Sequence, residues 1–539
     1  MSVSFVAILV IACGMALLAK RLKVPYTVLL VVAGLAVSLL LDGAPGLREH
    51  LEKIKLQPDL LLQLFLPILL FEAAFHVDLM SFLNNRRAIL LLAIPGVIIG
   101  MVLTTAVFVP VAILIRGDMP WQVGLVIAAM LAATDPISVV ALFKEFTVVK
   151  RLGIIIEGES LINDGVAVVL FGLVVKITAD SLGLTIPTLQ GHAEGVQALQ
   201  VLVDFLREIF LGTAVGVAVG LAISYLTSKV NDHLIEVALT AIAAYGSNIG
   251  AIQLHASGVI AVVVCGMMIG NVGAKHGMSP TTREAVFSFW EFAAFMANSF
   301  VFILIGLEIK LAGLWADAGL IAAFFVIMTL VRGITVFGMH KLVRREDLRL
   351  KKTWLPVITW SGVRGSLSMV LAMMLVATGD SGEAKRELIL NLVFGVVLLS
   401  ILLQGTTIEW LMKRVGLIGE TREEETEYHL ALARRQAIRC LVDDLESAEG
   451  KGILSHGTFE ILHSQLLDRR DANDKRIAAM LENTPSLNNI ELELHSTHLR
   501  ALEKQVYRDL EKEGDIDYDS MESLVRDVVE RDRPSKDTP

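Results

Sequence analysis

Residues 125–143 read LVIAAMLAATDPISVVALF, and the fold turns on Thr134-Asp135-Pro136 at their middle. The stretch is apolar and about as long as a membrane span, which takes roughly 20 residues. Pro136 lacks an N–H and its ring clashes with the carbonyl of Ala132, so a helix drawn through this stretch breaks there. By itself the proline predicts a simple kink. Asp135 beside it argues for more, because an ionisable group at membrane depth is expensive and marks a functional site by default. A broken helix at that depth frees backbone carbonyls and exposes half-helix dipole ends.

The bulk composition agrees with a membrane reading. Of 539 residues, 54% are hydrophobic, and the mean hydropathy is +0.64, too apolar for a soluble chain of this length. From Glu420 onward there are 17 Lys and Arg against 28 Asp and Glu, a net of −11, leaving +2 for residues 1–419. The acidity therefore belongs to the tail. Cys13, Cys265 and Cys440 are too few and too scattered for a disulfide framework or a metal site. The first apolar run has no basic residues before it, with Lys20-Arg21 following it, which fits a retained helix better than a cleaved signal.

Thirteen apolar stretches are long enough to span, at about 3–19, 24–41, 58–76, 88–115, 121–143, 152–176, 204–228, 233–251, 256–273, 284–307, 313–340, 354–378 and 387–413. The eighth is the weakest, carrying Glu236. If the first loop, KRLK, is cytoplasmic, the odd loops, NNRR and KLVRREDLRLKK among them, hold 17 Lys and Arg and the even loops about 7. The excess of positive charge places the N-terminus outside and the tail inside. The fold class expected is an all-α polytopic membrane protein, with a transmembrane domain over 1–415 and a soluble helical tail over 416–539. In the tail, Leu430, Ala433, Ile438, Leu441 and Leu445 recur at roughly helical spacing.

Several stretches carry polar groups at depth. The sixth contains GESLINDG, Gly158–Gly165. Ser160 and Asp164 are four apart and share a face. Glu159 and Asn163 share another, about 100° round the helix. Two separate jobs are implied. The twelfth, WLPVITWSGVRGSLSMVLAMM, is interrupted by Gly362 and Gly365 around Arg364. Stretches 5 and 12 are seven apart, as an inverted repeat of six helices would require. The eleventh buries Arg332, whose guanidinium cannot shed its charge and needs a carboxylate. Glu159 is the candidate partner, with Glu291, Glu308 or snorkelling to an interface left open. Glu72 in the third stretch can assist a cation's approach or be a plain interfacial carboxylate. Glu291 and Asn298 in the tenth, seven apart on one face, read as a polar helix contact.

If Asp164 faces a cavity beside the break, desolvation disfavours its charge, and it can hold a proton or a small hard cation but not both. The Asp164 carboxylate, the Ser160 hydroxyl, carbonyls near Thr134 and water supply the oxygen ligands such a cation prefers. Competition for one carboxylate, coupled to alternating access, exchanges a cation for a proton without moving net charge. Asn163 keeps the site to one titratable group.

The motifs ATDPISVVALFKE and GESLINDGVAVVLF, with Arg332 and GVRGSLS downstream, resemble the monovalent cation:proton antiporter-1 family of sodium/proton exchangers over about residues 1–413. That resemblance implies thirteen helices with crossed broken helices at stretches 5 and 12, a mobile core, a dimerisation domain and electroneutral exchange by a homodimer. It implies that Asp164, preceded by Asn163, is the essential ion- and proton-binding carboxylate. Na⁺ would be ligated by Asp164, Ser160 and the Thr134 carbonyl, with Glu72 acting through water. Asp135 and Arg364 would offset the half-helix dipoles, and Glu159 with Arg332 would form a structural ion pair.

The expectation is therefore an antiporter of Na⁺ or Li⁺ against H⁺ for pH and sodium homeostasis in the bacterial plasma membrane. It would not be an enzyme and would need no cofactor. Its partners would be a second copy, membrane lipids, monovalent cations and protons, with no nucleic acid. K⁺/H⁺ exchange is the nearest alternative, and a sodium-coupled organic solute symporter of similar fold is one of another class. The tail lies outside the resemblance. Its histidines, His429, His456, His463, His495 and His498, suggest pH sensing or dimer support, against a plain solvated module.

Overall fold

The computed structural model describes residues 2–22, 26–42, 61–136, 139–140, 143, 150–185, 198–230, 232–308, 311–342, 350–417 and 420–483, with short pieces between 499 and 524. The chain divides into two units, Met1–Leu417 and Ile418–Pro539. Among the described residues of the first unit, seven helices are long and apolar enough to cross a membrane, and five shorter apolar helices accompany them.

The chain opens with α1 (Ser2–Leu22) and α2 (Tyr26–Asp42), then α3 (Leu66–His76), which follows a π turn at Leu61–Phe65. Next come α4 (Leu79–Leu91) and α5 (Val97–Arg116), joined by a π turn at Leu92–Gly96 that absorbs Pro95. NNRR, expected in a loop, thus lies on a helix that starts nine residues before the apolar stretch. Asp78 caps that start, accepting from the Ser81 N–H at 2.8 Å and from Lys275 Nζ at 2.8 Å. Asn85 accepts from Arg151 Nε at 2.9 Å, so the polar turn is tied to the helix that carries Asp164.

Helix α6 (Trp121–Met130) stops six residues short of Pro136. α7 (Lys150–Leu182), α8 (Ala198–Thr227), α9 (His233–Gln253), α10 (Gly258–Met268), α11 (Pro280–Glu308) and α12 (Ala318–Leu342) follow. The twelfth stretch is two helices, α13 (Leu355–Trp360) and α14 (Ser366–Met373), separated by residues 361–365. The last is α15 (Gly379–Leu399) and α16 (Gly405–Arg414), with a π turn at Ser400–Gln404 between them. One element was not foreseen in an all-helical chain. Leu184–Thr185 (β1) pairs antiparallel with Val376–Ala377 (β2), Leu184 opposite Ala377.

Lipid gives helices no hydrophobic reason to associate, so close approach through small residues takes over. Gly212, Gly216 and Gly220 put a glycine stripe of α8 against α10. A Cβ at Gly216 would stand 2.5 Å from the Ala261 carbonyl oxygen and 2.9 Å from Val264 Cβ. Backbone cannot step aside as a side chain can, so the glycine is fixed by contact.

In the second unit α17 (Glu420–Gly450) packs on α18 (His456–Asn483). Their core is Tyr428, Ala431 and Ile477, flanked by Leu432, Met480 and Leu481. Of the stripe expected from spacing, Ile438 is buried, but Leu430 is 52% exposed and Leu441 49%. The partner helix sits about 100° round α17 from Leu430, on the Tyr428–Ala431 side. Asn473 Nδ2 donates to the Ala431 carbonyl at 2.9 Å and fixes that face.

Replacing Gly216 by Leu is expected to separate α8 from α10 and cost about 1–3 kcal/mol, the usual range for overpacking. Thermal unfolding of the detergent-solubilised protein measures it, with the exposed Leu221→Ala change as the control that should alter little.

Candidate ion-binding site

The two interruptions meet. The Asp135 N–H donates to the Val363 carbonyl at 2.7 Å, which ties the break after α6 to the break after α13. Where α6 ends, its last carbonyls have no helical partners. Arg364, 5% exposed, supplies them: Nη1 donates to the Ala132 oxygen at 2.9 Å and the Ala133 oxygen at 3.2 Å. Its own N–H donates to Ser400 Oγ at 2.9 Å, and the Ser400 hydroxyl donates in turn to Gln404 Oε1 at 2.6 Å. The π turn in the last stretch thus places a hydroxyl at the break. At Gly365, a Cβ would run into the Asp135 carboxylate, so glycine lets that carboxylate lie at the N-terminus of α14. A cation at the C-terminal end of one half-helix and an anion at the N-terminal end of the other complement both dipoles.

Helix α7 presents its polar groups to different neighbours. Glu159, 2% exposed, receives a fork from Arg332, Nη1 to Oε1 at 3.0 Å and Nη2 to Oε2 at 3.1 Å. Arg332 also donates to the Ile358 carbonyl from Nε at 3.3 Å and Nη2 at 3.1 Å. The guanidinium fits tightly: a Cβ at Gly362 would overlap it. The pair thus joins α7, α12 and α13. Ser160 donates its hydroxyl to the Thr134 carbonyl oxygen, across from α7 to the break.

A cavity of about 410 Å³ receives Asp164, Ser160, Thr134, Asp135 and Glu72 on its wall. Glu157, His76, Glu291 and Asn298 line it too. One of the expected ion-binding residues is elsewhere, and Arg364 stands at the crossing, as expected, rather than on this wall. Asn163 is fully buried, and its Nδ2 donates to the Ala132 oxygen at 2.9 Å and to Thr134 Oγ1 at 3.1 Å, so it braces the break from behind. Arg364 lines smaller spaces behind the crossing, one of them beside Glu159 and Arg332. Glu72 lies one turn before His76, whose Nδ1 is 2.8 Å from the Glu72 carbonyl oxygen and 3.4 Å from its Oε1.

Glu157 carries a signal in the sequence: it precedes Ser160 by three and Asp164 by seven, on the same helical face. Glu291 and Asn298, read as a helix contact, face the cavity instead. Which neighbour a helical face meets is not written in its spacing. The wall as a whole offers carboxylate, hydroxyl and carbonyl oxygens around space wide enough for water, a donor set suited to a hard cation.

Apolar spans around two crossed broken helices, with carboxylates held at their crossing, define a multi-pass membrane protein with a polar site at membrane depth. The transmembrane model of the sodium/hydrogen exchanger family matches residues 6–414, and the chain belongs to that family. It is 32% identical over 536 residues to the Na⁺/H⁺ antiporter ApNhaP of Aphanothece halophytica, covering 97% of this chain and 96% of that one. The low-affinity Na⁺/H⁺ antiporter NhaS1 of Synechocystis is 32% identical over 530 residues, covering 97% and 95%. Among solved structures, the sodium proton antiporter MjNhaP1 of Methanocaldococcus jannaschii at pH 8 has the same fold. Its TM-score is 0.60 at 19% identity, over 76% of this chain and 97% of that one.

Glu159→Gln is expected to leave Arg332 as an uncompensated buried charge, costing about 3–5 kcal/mol. Adding Arg332→Gln should return part of that loss. Thermal unfolding of the single and double variants measures it, and a double variant no more stable than the single would refute the coupling.

Proposed function

We propose that the protein exchanges Na⁺ or Li⁺ for H⁺ across the bacterial plasma membrane, one for one and by alternating access, in the service of pH and sodium homeostasis. The observation that carries this reading is the cavity that brings Asp164 beside Ser160 and the broken helix at Thr134. Family membership and near full-length similarity to proteins named Na⁺/H⁺ antiporters support it. On this reading the protein is a transporter rather than an enzyme, and Na⁺, Li⁺ and H⁺ are its cargo.

Asp164 is the group that both cargoes share. Leaving its carboxylate charged and bare in the cavity is unfavourable, so it is occupied by a proton or by a cation. For Na⁺, the Thr134 carbonyl keeps a lone pair beyond the one taken by Ser160, and the Ser160 oxygen keeps its own. Glu72 contributes through water. Asp135 lies at the α14 N-terminus and Glu159 is held in the fork from Arg332, so Asp164 is the carboxylate left to change partner. One carboxylate carrying one Na⁺ or one H⁺ moves no net charge per cycle.

The cavity wall reaches His76 and Val77 at the end of α3. On this reading the positive loops put that end in the cytoplasm, and the cavity is the route by which ions reach Asp164 from the inside. The tail is then cytoplasmic and the N-terminus external, and the assembly is a homodimer. The transmembrane domain is 1–415 and the tail, 416–539, modulates it. In the tail, His456 Nδ1 lies 2.6 Å from Glu449 Oε1, and Glu460 is 3.6 Å from Nε2. The Glu449 hydrogen bond and charge hold this imidazole above its usual value. The charged contact between α17 and the start of α18 is therefore complete at pH below the ordinary imidazole value and is lost as pH rises through the raised one.

Asp164→Asn is expected to abolish exchange while the protein still folds. In everted vesicles, adding Na⁺ collapses a pre-set pH gradient with the unaltered protein and leaves it standing with the variant; a gradient that still collapses would remove the central claim. Asn163→Asp is not a clean charge test, since it puts an anion where two donors brace the break.

Deleting residues after 415 should preserve exchange and shift its pH profile. Profiles that superimpose would reduce the tail to a structural appendage.

A further inference from the structure

Helix α11 is unbroken and carries none of the groups assigned above to cation or proton binding. It still places two polar residues on the wall of the cavity, Glu291 and Asn298, seven apart and so on one face. Glu291 is exposed, as a residue at a mouth would be. Asn298 lies deeper, partly buried, next to Ser299, which is fixed by Tyr26 at 2.5 Å. The Asn298 amide oxygen is buried and has no hydrogen-bond partner among the described residues. Buried acceptors are nearly always partnered, and one left open calls for a physical reason. A polar helix–helix contact, the reading its spacing first suggests, would have supplied that partner.

We propose that Asn298 completes the cation's oxygen shell from the side away from the broken helices, and thereby determines which alkali cation competes best with the proton at Asp164. This rests on the exchange reading above. A half-turn about the Cβ–Cγ bond, a broad and soft torsion, exchanges the amide oxygen and nitrogen and carries the oxygen to the cavity side. A neutral amide oxygen adds a ligand without adding charge. It does nothing for a proton, which binds covalently to the carboxylate and needs no shell, and it favours a cation that takes several oxygen ligands. Its removal weakens the cation side of the competition and leaves the proton side intact. Na⁺, being larger, takes more ligands than Li⁺, so Na⁺ loses more.

Everted vesicles carrying Asn298→Ala, titrated separately with Na⁺ and Li⁺, test this. The concentration giving half-maximal exchange is expected to rise about tenfold for Na⁺ and distinctly less for Li⁺, with the maximal rate held within about twofold. Asn298→Ser, which keeps a shorter oxygen, should fall between. Exchange by the unaltered protein in the same preparation tests the exchange reading separately. As a measurement independent of transport, the rise in melting temperature of the purified protein with NaCl over choline chloride should need about tenfold more salt in Asn298→Ala. If both midpoints stay within twofold for both cations, or if the alanine change lowers only the maximal rate, Asn298 is a packing residue and the proposal fails.

Discussion

The constraint behind the rest of the structure is that backbone groups inside a membrane must find partners within the protein. Breaking α6 at Met130 strands the carbonyls of Ala132 and Ala133, and lipid has nothing to offer them. Arg364 and Asn163 close that gap together, the guanidinium donating to both oxygens and the amide to the first of them. A second break, between α13 and α14, is what lets Arg364 reach them. The Asp135 N–H to the Val363 carbonyl then locks one interruption to the other. Neither break is affordable alone.

Charge follows the same logic. Arg364 and Asp135 sit at opposite half-helix ends, where backbone dipoles favour them, and Glu159 and Arg332 satisfy each other in a fork that also holds α13. A fork of this kind is weak grounds for net stability, because both ions lost water to form it. Its value is positional: it sets the rotation of α7 about its axis. With Glu159 turned to α12 and Asn163 turned to the break, Ser160 and Asp164 are left to face the cavity. Two of four polar residues within a turn and a half thus serve to aim the other two.

The helix faces were legible in the sequence. Spacing alone separated Glu159 and Asn163 from Ser160 and Asp164, and Pro136 and the Gly362–Gly365 pair marked the two interruptions. Spacing did not say what each face meets. Asn163, expected beside the ion, stands behind the break. Glu291 and Asn298, expected between helices, stand on the cavity wall, and Glu157 joins them unannounced. The tail shows the same limit: a helical stripe through Leu430 and Leu441 was evident, yet α18 packs on Tyr428 and Ala431.

Hydrophobic length, loop charge and helix-breaking residues are local quantities, and they suffice to specify a multi-pass helical protein with two interrupted spans and an acidic helical tail. NNRR shows how far such local reading goes, since a polar turn at a helix end is continuous with the helix once Asp78 caps it. Which polar groups share a cavity is settled by packing instead, because it depends on how far each helix is rotated about its axis. In this protein that rotation is set by contacts between residues more than 150 positions apart, Glu159 with Arg332 and Ala132 with Arg364. No window of sequence contains both ends of such a contact.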